Sequence, residues 1–204
     1  MNGYLNPRIP IQKHEHGLPH WQQQESTLFL TWRLGDSLPQ KVVMEWKRQR
    51  DQWVRTHPKP WGGKVENEFH NRFSRKIDFW LDQGEGCCLL KEPEASSLVA
   101  KAIQRESGFR GRTHAFVVMP NHVHLLFSLY AHSKLEELLK SIKGRSSRGL
   151  NQLRGSRGKN WQSGYWDRIV RGPEHFERCK SYILENQKKE NLRPGEYFLW
   201  MEED

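Results

Sequence analysis

The chain alternates short runs of β-branched, aromatic and aliphatic residues with longer stretches whose apolar positions recur every three or four residues. The first apolar run, residues 26–34, reads as a strand ended by Gly35 and Asp36. Helical spacing follows over 39–56 and again over 65–83, broken between them by Pro58, Pro60, Gly62 and Gly63. Residues 87–90 read as a short extended piece. Leu98, Ala102 and Ile103 place a helix over 94–107, with Gly108 as its stop. Strands over 112–119 and 122–130 are joined tightly at Pro120 and Asn121. Ser133 and Glu136 have capping-box spacing and open a helix that runs towards Leu153. A strand over 165–171 and a helix with Pro173 at its first position complete the pattern.

With the helical stretch 38–92 set aside, the order is β-α-β-β-α-β followed by one more helix. The expected fold class is α+β: a ferredoxin-like βαββαβ antiparallel sheet with helices on one face and the other face free for a ligand. The added C-terminal helix and the insert after strand one decorate it. The expected division is a polar N-terminal arm (1–25), a single domain (26–190, with the insert at about 38–92) and a C-terminal tail (191–204).

Within the strand 122–130, His122 and His124 flank Val123. Alternate side chains of a strand share a face, so both imidazoles point one way and Val123 points into a core. The pair is half of a metal site, or two satisfied histidines of a sheet. His14 and His16 have the same spacing but sit in a Pro/Gly/Gln-rich stretch with no strand pattern, and are expected to be solvated. In the last helix Phe176, Cys179 and Ile183 form the packing stripe, and Tyr182 and Asn186 lie four residues apart on one flank. Read alone, they also fit a core-edge tyrosine and an asparagine at a fraying end. Taken with the histidines, they complete a site of two nitrogens and one amide oxygen. Such a set suits Mg²⁺ or Mn²⁺ with positions open for phosphate oxygens, and Tyr182 is the candidate nucleophile.

Composition narrows the partner. Among 204 residues, Lys and Arg number 33 against 24 Asp and Glu, a formal charge of +9 that favours polyanions, nucleic acid first. Nine Trp are either core residues or platforms for unpaired bases. No run is long and apolar enough to span a membrane, and no signal-peptide pattern opens the chain. The three Cys form no disulfide or zinc spacing, so a cytoplasmic protein is expected.

The segment Met119-Pro120-Asn121-His122-Val123-His124-Leu125-Leu126 resembles the histidine–hydrophobic–histidine (HUH) motif of single-tyrosine transposases. Residues 161–171 and 182–186 are similar to the C-terminal blocks of REP-associated tyrosine transposases, and 26–34 and 84–93 also resemble that family. The likeness runs from about residue 20 to 190. It implies that His122, His124 and Asn186 bind the divalent metal and that Tyr182 is the nucleophile. Gln187 stands where members often have proline, and the insert is longer and more aromatic than a minimal member needs.

The resemblance implies an enzyme, a DNA strand transferase that cleaves and rejoins single-stranded, hairpin-bearing DNA through a 5′-phosphotyrosine, acting as a monomer or a homodimer. Lys140, Lys143, Arg145 and Arg148 are the expected DNA contacts on the helix 134–153, unless that helix presents only a solvated face. Trp161, Tyr165, Trp166 and Arg168 are expected to meet bases and backbone from the C-terminal block. Two alternatives stay open: a non-catalytic ferredoxin-like nucleic-acid-binding protein, and a metal-dependent phosphoesterase that uses water.

Overall fold

The structure is a computed structural model that describes all residues except 1, 2, 6–11, 17, 24, 59, 60, 62, 82, 190 and 204. Its centre is a five-stranded antiparallel sheet. In chain order the sheet strands are β3 (Thr27–Arg33), β4 (Gly111–Val118), β5 (His122–Leu129), β6 (Trp166–Ile169) and β7 (Phe198–Met201). They lie in the order β6-β3-β5-β4-β7. The first four reproduce the ferredoxin-like arrangement read from the sequence. The fifth comes from the segment taken as a tail and pairs with the outer edge of β4, Phe116 opposite Trp200. Upstream, β1 (Gln12–His16) and β2 (Leu18–Gln22) pair as a hairpin within the stretch read as an arm. The side chains of His14 and His16 lie outside the described residues.

Alternation along the two central strands builds two cores. Leu28, Leu30 and Trp32 of β3 share a face with Val123, Leu125 and Phe127 of β5. Helices α4 (Pro93–Gln104) and α5 (Leu135–Leu153) cover that face through Val99, Ile103, Leu138, Leu139 and Ile142. The opposite face is not left open. It carries Ala115, Val117 and Leu126, and helix α6 (Pro173–Lys189) packs there through Phe176, Cys179 and Ile183. The capping box expected at Ser133 does not set the start of α5. Its cap residue is Lys134, which makes no side-chain cap bond.

The stretch 38–92 folds on a third core of its own. Helices α1 (Gln40–Thr56), α2 (Gly63–Phe69) and α3 (Arg75–Leu81), with a π-helical turn at His70–Ser74, gather Trp46, Trp53, Phe73, Ile77 and Leu81. Residues expected to be extended at 87–90 instead lead into a 3₁₀ turn, Leu89–Lys91. Gly86 closes the insert onto its own entrance. It adopts φ +92, and a Cβ there would lie 2.7 Å from the Asp36 carbonyl oxygen, so only glycine fits. The next residue, Cys87, donates its backbone N–H to the Asp36 carboxylate at 2.9 Å.

Val123 is fully buried in the larger core, as the strand register requires. Val123→Asp is therefore expected to cost about 4 kcal/mol or more, since it buries a carboxylate with no partner. Urea denaturation checks this. An unchanged midpoint would mean that the register of β5 is misplaced.

Candidate functional site

The face opposite Val123 holds both histidines. Arg33, Thr31, Phe29 and Thr27 of β3 stand directly across from His122, His124, Leu126 and Ser128 of β5, so all eight side chains share one surface. His122 and His124 are fully buried beneath it. Their Nε2 atoms are 3.0 Å apart. Each ring's other nitrogen is held. Nδ1 of His122 lies 2.8 Å from Oδ1 of Asn121, and Nδ1 of His124 lies 2.8 Å from Oγ1 of Thr31.

These contacts fix the protons. The amide oxygen of Asn121 only accepts, so His122 donates from Nδ1 and its Nε2 is bare. The Nε2 of His124 then donates to it, and the Thr31 hydroxyl donates to Nδ1 of His124. Burial holds the His122 imidazole at about 3, far below the ordinary histidine value. It stays neutral at any physiological pH, which is the form that ligates metals.

Helix α6 brings the remaining residues. The ring of Tyr182, half-buried, meets His124 edge-on at 5.2 Å between centroids and Phe29 at 5.7 Å. Phe29 stacks on His124 at 5.5 Å, so the nucleophile candidate and one ligand candidate are wedged by the same aromatic ring. Asn186 follows one turn on and continues the buried stripe rather than the flank. It is fully buried, and neither its amide oxygen nor its amide nitrogen has a hydrogen-bond partner. Such a group costs about 1–3 kcal/mol if left unsatisfied. Among the described residues no group of three or more His, Cys, Asp or Glu can hold a metal, so an ion here would draw its remaining ligands from amide, water or phosphate oxygens. The two imidazoles fit such an ion: two cis ligands on bonds of about 2.1 Å lie about 3.0 Å apart, the spacing of the two Nε2 atoms.

The residues expected to touch DNA are scattered. Lys140, Arg145 and Arg148 are exposed on α5, across the sheet from the histidines. Lys143 faces inward and donates to the carbonyl oxygens of Gln162 and Gly164 at 2.9 and 2.7 Å. Burial pulls its ammonium down to about 8. It buttresses the 160–165 loop instead of presenting a free charge. Trp161 is buried edge-on against Trp32, with its indole donating to Ser146, and Tyr165 lies in the same core. Trp166 packs on Trp46 of the insert. Aromatic side chains next to basic ones suit a core as well as a base stack, and in these three the core takes them. By register Trp166 and Arg168 both share the histidine face, opposite Thr31 and Phe29.

Sequence reasoning passed over Thr31, Phe29 and Asn121. The first two were legible as the i, i+2 partners of a strand beside β5. Asn121 was visible only as half of a tight turn.

Comparison with known proteins bears on the same segment. Residues 93–187 match the family described as "Transposase IS200 like". No curated protein matches the chain. Among solved structures, a REP-associated tyrosine transposase bound to a REP hairpin is 16% identical, with a TM-score of 0.44, over 83% of this chain and 71% of that one. A Deinococcus radiodurans R1 protein assigned as a transposase is 15% identical, with a TM-score of 0.35, over 90% and 97%. No described helix is long and apolar enough to cross a membrane. Residues 93–187, which carry both histidines, the tyrosine and the asparagine, are thus similar to the IS200-like transposases over a little less than half of the chain.

Proposed function

We propose that the protein is a metal-dependent single-stranded DNA transesterase of the REP-associated tyrosine transposase type, acting on hairpin-bearing DNA in the cytoplasm. The observation that carries this reading is the contact of the Tyr182 ring with His124, the imidazole whose Nε2 lies 3.0 Å from that of His122. A binding protein needs no phenol there, and an enzyme that uses water needs no tyrosine against the ligand.

His122, His124 and Asn186 are the residues that hold Mg²⁺ or Mn²⁺. When bound, the ion supplies Lewis-acid stabilisation of the charge that develops on the scissile phosphate. For both Nε2 atoms to offer lone pairs, the His124 proton must sit on Nδ1. Thr31 permits this because a hydroxyl accepts a hydrogen bond as readily as it donates one. The phenol oxygen of Tyr182 attacks phosphorus and loses its proton to solvent. The P–O3′ bond breaks, the 3′ oxygen takes up a proton, and a 5′-phosphotyrosine remains. Attack by a 3′ hydroxyl on that linkage reverses the step, so no ATP is consumed.

The phosphate must reach Tyr182 in line, and an unpaired strand bends to do so at lower cost than a stacked duplex. The positive charge of the chain attracts either form, with an affinity that falls steeply with salt. Matched hairpin-bearing single strands and plain duplexes, titrated across a salt series, are expected to diverge. The hairpin substrate should stay bound where duplex binding has faded. Equal loss of both would leave only a generic basic protein.

A further inference from the structure

We propose that Asn121 is a positioning residue that sets His122 for metal and joins the helical insert to it; this rests on the metal-site reading above. Asn121 sits at the tip of the β4–β5 hairpin and is almost wholly buried. Its side chain works in two directions. The amide oxygen takes the Nδ1 proton of His122 at 2.8 Å, which leaves Nε2 bare and aimed at Nε2 of His124. The amide nitrogen donates to the carbonyl oxygens of Leu81 and Glu85, at 3.2 and 3.1 Å. Leu81 ends helix α3, and Glu85 lies in the turn that Gly86 closes onto Asp36.

The backbone of the tip is held from the same quarter. Leu34, just before the insert, donates to the Asn121 carbonyl at 2.8 Å, and Leu90, at its exit, donates to the Pro120 carbonyl at 3.0 Å. The entrance, the last helix and the exit of the 38–92 insert thus all grip the turn from which β5 starts. The ring of His122 is the first side chain after that turn. None of the gripping residues falls within 93–187, so the preorganisation of His122 depends on a part of the chain outside the matched segment. Metal ligands whose second nitrogen is held in this way lose roughly 10–100-fold in metal affinity when the partner is removed.

Two substitutions separate the two directions. Asn121→Ala removes both, whereas Asn121→Asp keeps an acceptor for the His122 proton and replaces the donor to Leu81 and Glu85 with a second acceptor. Mn²⁺ affinity, read by electron paramagnetic resonance on the full chain without DNA, is expected to fall roughly 10–100-fold in Asn121→Ala. In Asn121→Asp, which keeps the acceptor for His122 but loses the tie to the insert, it should fall by less than in Asn121→Ala. Hydrogen exchange at the amides of Leu34 and Leu90 should quicken in both variants. Gly86→Val, remote from the histidines but forced against the Asp36 carbonyl, should weaken Mn²⁺ binding in the same sense. The ¹⁵N shifts of His122 in the metal-free wild type need no variant and should report the proton on Nδ1. Wild-type Mn²⁺ affinity in Asn121→Ala, with binding lost in His122→Ala, would overturn the role of Asn121 and leave the site reading intact. Wild-type affinity in His122→Ala would overturn both. A His122 proton on Nε2 would overturn the assignment to Asn121 by itself.

Discussion

Tyr182→Phe is expected to abolish strand cleavage and covalent attachment while leaving affinity for hairpin DNA within a few-fold of wild type. The substitution removes one oxygen and keeps the ring. The edge-on contacts with His124 and Phe29 therefore survive, and α6 keeps its seat on the sheet. No charge is lost, so the electrostatic part of binding is unaltered. Loss of a nucleophile that acts together with its activating groups lowers turnover by roughly 10⁴-fold or more, because no neighbouring group takes over the attack. Denaturing gels of labelled oligonucleotides resolve both the cleaved strand and the shifted protein–DNA adduct. Cleavage by the Phe variant at the wild-type rate would transfer the chemistry to water.

The second large effect is expected at the histidines. His122→Ala and His124→Ala each remove one of two imidazoles that converge at 3.0 Å, and each should eliminate the stimulation of cleavage by Mn²⁺. They differ in what they leave behind. His122→Ala strands the amide oxygen of Asn121, whereas His124→Ala strands the hydroxyl of Thr31 and removes the ring on which Tyr182 and Phe29 rest. His124→Ala should accordingly be the less stable of the two in urea. Asn186→Ala should weaken the metal response less than either, since water substitutes for an amide oxygen more readily than for an imidazole. Its stability should hold or rise, because a buried amide without partners disappears. Mn²⁺ titrations of cleavage rate with the three variants give this ranking, and unaltered Mn²⁺ stimulation in both histidine variants would remove them from the site.

The site was legible because strand periodicity is local. Two residues apart on β5 means one face, and Val123 between them fell into the core that the register demands. The stripe of α6 was legible in the same way, from Phe176, Cys179 and Ile183. What local pattern does not carry is which layer an element joins. With α5 on the Val123 face its lysines and arginines lie across the sheet from the histidines, and charge read from residues 135–153 alone does not distinguish a DNA-facing helix from a solvated one. Trp161 and Tyr165 were misplaced for a related reason, since aromatic composition is the same whether rings stack on bases or pack in a core, as Trp161 does on Trp32. Trp166 does lie on the histidine face, opposite Thr31, but packs on Trp46. The four-residue strand β7 is short and apolar on both faces, with Leu199 beside the α6 core and Trp200 on Phe116. It gives no alternation to read. Asn121 escaped because its two roles depend on Leu81 and Glu85, some forty residues away along the chain.

The central claim is a covalent bond between Tyr182 and a DNA 5′ phosphate, and peptide mass spectrometry reads that bond directly. The protein is incubated with a hairpin-bearing single strand and Mn²⁺, digested with protease and nuclease, and searched for peptides carrying nucleotide mass. The account predicts a nucleotide 5′-phosphate on the peptide containing Tyr182, dependent on Mn²⁺ and absent from His122→Ala. Cleaved DNA with no modified peptide, or a nucleotide attached at any other residue, would contradict it.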